Sequence, residues 1–188
     1  VRLNDFPLGL GVLMLALAWL VFLRLPDHPA NRALILLSAS LGFVLAASVD
    51  LWQTHRLTLL WLLAFAFTAA ASFDLSLSVS EWALPPEWVV RLRRGGYGGA
   101  LFVTLVGGSL YLRDAAQHMT VGWRLELIWL LINGLGAMAV LVIAARRAET
   151  APQRNRSLGM LAAGLLSLPA LYLWAGTLLL HLSQPGMA

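Results

Sequence analysis

The chain has 188 residues, of which 60% are apolar and 12% charged, and its formal net charge of +4 is carried without a single lysine or cysteine. A soluble domain carries about 25% charged residues, so this composition points to a membrane. The missing lysine excludes a retinal Schiff base, a PLP aldimine and a P-loop; the missing cysteine excludes disulfides, thiol redox chemistry and iron–sulfur ligation.

The apolar residues fall in runs near the ~20 residues of helix that a bilayer requires, and they do not alternate as the ~10-residue strands of a transmembrane barrel would. The expected fold class is therefore all-α. We expect one transmembrane domain over residues 1–188, an integral membrane bundle of six transmembrane helices with a short interfacial helix around 85–94. Span one covers roughly 8–25. It lacks a basic leader followed by a small-residue cleavage site, so it reads as a retained span. The loop Pro26–Arg32 carries two prolines and ends on Asn31, a candidate N-cap. Span two covers roughly 33–52, and the turn Gln53–Arg56 leads into span three, roughly 57–78.

The next connection contains LPPEWVVRLRRGG, with Trp88 interleaved among Arg91, Arg93 and Arg94. An aromatic ring with arginines suits a helix lying at headgroup depth, its guanidinium groups in water or on lipid phosphates. Span four, roughly 97–112, is short and rich in glycine. Span five covers roughly 121–145 and span six roughly 158–182, with Pro169 expected to kink the latter.

Arginines in connections orient the bundle. With the N-terminus outside, Arg24, Arg32, Arg91, Arg93, Arg94, Arg146, Arg147, Arg154 and Arg156 lie inside, against Arg2, Arg56, Arg113 and Arg124 outside. That bias favours both termini outside, in a bacterial-type cytoplasmic (inner) membrane. It also assigns basicity to orientation, with no nucleic-acid partner.

Lipid supplies no hydrophobic drive between helices, so small residues at helical spacing mark contacts. Three ladders appear: Thr68, Ser72 and Ser76; Ala100, Thr104 and Gly108; Gly159, Ala163 and Ser167. Helix packing explains them, and a hydroxyl-lined substrate path is the alternative.

Ionisable residues inside a membrane are candidate functional groups. On the outer side the topology collects Asp50, His55, Glu126 and His181, with Asn133 seven residues beyond Glu126 on the same helix face. Such a site could respond to protons through histidine or hold a ligand. No histidine pair has metal-ligand spacing, no nucleophile elbow or H-E-x-x-H motif occurs, and no histidine lies mid-span for haem. The reading is thus no catalytic residue, no metal and no predicted cofactor.

Three stretches, FLRLPDHPANRAL (22–34), FDLSLSVS (73–80) and RRAETAPQRNRSLGMLAAGLLSLPALYL (146–173), occur in this order. The order resembles the N-terminal multi-pass sensory region of bacterial membrane sensor proteins, of the histidine kinase, GAF or GGDEF type. In that resemblance Pro152, Arg154 and Arg156 match the basic loop, and Gly164 and Pro169 match the span that follows. It implies a non-enzymatic sensory module. Two alternatives remain: a small accessory subunit packed on a larger respiratory or photosynthetic membrane complex, and a six-span substrate-binding transport component. The expected partners are the lipid bilayer and other membrane subunits, or further copies of the chain.

Overall fold

The computed structural model describes residues 5–24, 28–53, 56–114 and 121–165. These form α1 (Asp5–Arg24), α2 (Pro29–Gln53), α3 (Thr58–Val79), α4 (Pro86–Arg113) and α5 (Trp123–Arg147). They also include α6, whose described part is 151–165. No strand occurs among the described residues. Four helices, α2 to α5, are long and apolar enough to cross a membrane, and the apolar part of α1, Leu8–Arg24, is shorter. The expected span 158–182 lies outside the described residues beyond 165.

Local chemistry explains the boundaries. Pro29 opens α2 because a first-turn N–H needs no helical partner, so the helix starts ahead of the expected residue 33. Pro86 opens α4 in the same way. At the start of α6 the side-chain oxygen of Gln153 accepts from the Glu149 and Thr150 backbone N–H groups, each at 3.2 Å. This is half of a capping box and satisfies donors that the first helical turn leaves open. It starts α6 at 151, seven residues before the expected span.

The short helix expected over 85–94 is not a separate element. α4 runs unbroken from Pro86 through the glycine-rich stretch to Arg113. The reason is packing: a Cβ on Gly99 would overlap the Trp129 ring of α5, and the Phe73 ring of α3 lies beside both Gly96 and Gly136. These glycines admit aromatic rings from neighbouring helices, and the close contact offsets their poor helix propensity.

The helices pack in sequence, α1 on α2 and α2 on α3, while α3 also contacts both α4 and α5. The α1–α2 crossing is a close one. A Cβ on Gly11 would stand 2.6 Å from the Gly42 carbonyl oxygen and 2.7 Å from the Ala46 nitrogen. α3 is the central helix, with Trp61, Leu62, Phe65, Ala66, Ala69, Ala70, Ala71 and Leu77 all buried. Trp61 stacks on Phe65 and on Trp123 of α5, with ring centroids 5.0 and 4.8 Å apart. Its indole N–H donates to the Val44 carbonyl of α2 at 3.0 Å, so one side chain ties three helices. The rim outside this core is apolar and exposed on α1 and α4, as a lipid-facing surface is.

The connection between α3 and α4 docks on the end of α5. Arg147 donates to the Ala83 carbonyl at 2.7 Å, and Trp82 Nε1 donates to that of Ala144 at 3.4 Å. One end of the bundle therefore gathers the close of α3 and α5 with the start of α4 and α6. Arg91, Arg94, Arg146, Arg147, Arg154 and Arg156 belong to that end.

Candidate functional site

α5 presents its buried face at heptad spacing: Trp123, Leu130, Ala137 and Ala144 form one row, and Glu126, Asn133 and Val140 form the other. Such a seam normally takes apolar residues. Two of its positions hold polar side chains instead. Glu126 is 0% exposed, and among the described residues neither of its carboxyl oxygens has a hydrogen-bond partner. One turn away, Trp123 is buried and its indole N–H is also without a partner among the described residues. Two turns deeper, Asn133 is buried and its amide nitrogen donates to the Trp129 carbonyl at 2.9 Å. Asn133 is thus tied to its own helix. A polar group buried without a partner costs about 1–3 kcal/mol, and more when charged.

The Asp50 carboxylate accepts from the Leu57 N–H at 2.7 Å and so closes the turn between α2 and α3. His55 and His181 lie outside the described residues. Among the described residues no three histidine, aspartate or glutamate side chains gather as a metal site.

A second polar constellation joins α3 to α4. Arg93 Nε donates to Asp74 Oδ1 at 2.6 Å, and Tyr97 OH donates to Asp74 Oδ2 at 2.9 Å. Arg93 Nη2 reaches Ser78 Oγ at 2.9 Å, and Ser78 in turn donates to Asp74 at 3.3 Å. The Asp74 side chain is 9% exposed and that of Arg93 34%. Both carboxylate oxygens accept hydrogen bonds, so the group works as a clamp between helices. Arg93 faces the bundle, whereas Trp88, Arg91 and Arg94 are exposed. Arg91 lies over the Trp88 ring, 5.9 Å from its centroid. The sequence shows each member of this clamp, but its partners are 19 and 23 residues apart, and only the folded hairpin brings them together.

The hydroxyl ladder of α3 lines a cavity of about 350 Å³ between α2, α3, α5 and α6, with Leu37, Met138 and Met160 among its other walls. Thr68 donates to the Ala64 carbonyl, Ser72 to that of Ala69 and Ser76 to that of Ser72. Each hydroxyl is therefore satisfied within its own helix, and the walls are apolar. Of the small residues, Ala100 is buried, Thr104 donates to the Ala100 carbonyl, and Gly108 sits against Leu59 of α3. Gly159 and Ala163 are exposed, and among the described residues nothing stands within 4 Å of a Cβ built on Gly159.

No protein-family model, curated protein or solved structure matches this chain.

Proposed function

We propose that this chain is a non-enzymatic sensory module of a bacterial-type cytoplasmic membrane, in which a signal from the outer side is received at Glu126. In this reading the bundle crosses six times with both termini outside, and the arginine-rich connections face the cytoplasm. The observation that carries it is the carboxyl of Glu126, fully buried and with neither oxygen hydrogen-bonded among the described residues. An apolar residue of similar volume would fill that seam position without the desolvation cost. A carboxyl kept there at the expense of stability fits a group used in function. The unpartnered Trp123 N–H one turn away supplies a donor beside it. Trp61, stacked on Trp123, and Phe65, tilted against it, form an aromatic core that a rearrangement at Glu126 would disturb.

The experiment is a titration from the outer side of vesicles, with protons and separately with Zn²⁺, reading the emission of the stacked tryptophans. The wild type shifts in at least one titration, and Glu126→Gln does not. An unresponsive wild type, or a Gln variant that responds equally, contradicts the reading. Isolation of the native protein in stoichiometric complex with redox or pigment-bearing subunits would replace it with the accessory-subunit reading.

A further inference from the structure

We propose that the exposed face of α4 is a docking site for one anionic phospholipid, with Arg91 and Arg94 holding its phosphate. The unbroken helix is the first ground. Its 28 residues extend about 42 Å at 1.5 Å each, against a hydrocarbon core of about 30 Å. The apolar stretch runs to Leu112, so the surplus of about eight residues falls at the start, from Pro86 to Arg93. Arg91 therefore stands on a rigid shaft at headgroup depth and Arg94 at the edge of the hydrocarbon, with Trp88 beside Arg91 as an interfacial ring.

The second ground is the division of labour among the three arginines. Arg93 turns inward to Asp74 and Ser78. Arg91 and Arg94 are three apart on the opposite, exposed side, where with Pro86, Glu87 and Val90 they line a shallow open groove. The Glu87 carboxylate sits at the upper end of that groove and subtracts from its positive charge.

The third ground lies directly below. Gly95 and Gly98 are exposed on the same stripe, and a Cβ at either would meet nothing within 4 Å among the described residues. Unlike Gly96 and Gly99, they seat no neighbouring ring, yet each costs helix propensity. Their effect is a trough one side chain deep beneath the guanidinium groups. Beyond it the stripe continues as Leu101, Phe102 and Leu105, at 50%, 67% and 71% exposure, a surface for acyl chains. Phosphate-binding cations, a bare trough and an apolar track follow one another in the order that a phospholipid presents headgroup, glycerol and tail.

Charge selects the lipid class. Two arginines beside a phosphate favour a headgroup without its own cation, so phosphatidylglycerol should be held over phosphatidylcholine. At roughly fivefold per arginine near an anionic surface, and less for Glu87, the preference is about tenfold. Native mass spectrometry of the protein released from nanodiscs with equal amounts of the two lipids reads it. We expect about tenfold enrichment of one retained phosphatidylglycerol in the wild type. We expect none in Arg91→Gln/Arg94→Gln, and full retention in Arg113→Gln, an exposed arginine at the other end of α4. Gly98→Leu fills the trough in open space, so it should fold as well as wild type and lose the lipid. Equal retention of both lipids by the wild type, retention in the double variant, or displacement by excess inorganic phosphate would overturn the assignment.

Discussion

Replacing Arg93 with alanine tests the clamp between α3 and α4. The guanidinium makes the 2.6 Å bond to Asp74 and a second to Ser78 at 2.9 Å. Two unit charges about 4 Å apart attract by about 4 kcal/mol at an effective dielectric of 20. Removing one partner of a buried pair strands the other and costs about 3–5 kcal/mol. Arg93 is one-third exposed, so part of its attraction is screened, and Tyr97 and Ser78 remain to donate to Asp74. The lower end, about 3 kcal/mol, is the expected loss. Removing both charges in Asp74→Ala/Arg93→Ala leaves no stranded carboxylate, so the double variant should lose less than Arg93→Ala alone. Reversible unfolding in mixed detergent micelles gives the three free energies. A loss below about 0.5 kcal/mol in Arg93→Ala, the scale of an exposed pair, would refute the clamp. So would a double variant that costs the sum of the single ones.

Three further outcomes follow from the packing and topology. Gly11→Leu places a side chain where the backbone of Gly42 and Ala46 already stands, and should cost about 1–3 kcal/mol or separate α1 from α2; a cross-link between the two helices that forms unchanged would contradict the contact. Trp61→Phe keeps the ring stack but loses the bond to Val44, a loss of about 1 kcal/mol by unfolding in detergent; no loss would mean that the indole N–H contributes nothing. The chain has no cysteine, so single cysteines at Glu149 and Arg113 can be labelled uniquely. They should label from opposite sides of the membrane, and labelling from one side would remove a span between them.

Hydropathy made the helices legible because a bilayer selects for long apolar runs whatever their partners. Their ends were less legible. The glycines from Gly95 to Gly99 look like a break between an interfacial helix and a span, because a sequence shows the poor propensity of glycine but not the Trp129 and Phe73 rings that occupy the space. Small-residue spacing was ambiguous for the same reason. Gly11 packs closely on Gly42 and Ala46, which lie four apart on α2, a small-residue pair that the three ladders leave out. Gly159 belongs to a ladder and lies exposed. Glu126 and Asn133 could be placed on one face from their spacing of seven, since that is a local property of a helix. The Asp74–Arg93–Tyr97 clamp could not be read, because it depends on the register of α3 against α4, which no local pattern encodes.

The central claim is that the fold accepts Glu126 at a cost, as it would a functional group. Unfolding Glu126→Leu in detergent tests this most directly. Leucine in the seam removes two buried oxygens without partners, so the variant should be more stable than wild type by about 1–3 kcal/mol while losing the outer-side response. A Glu126→Leu protein less stable than wild type would mean that the carboxyl supports the fold, and would contradict the account.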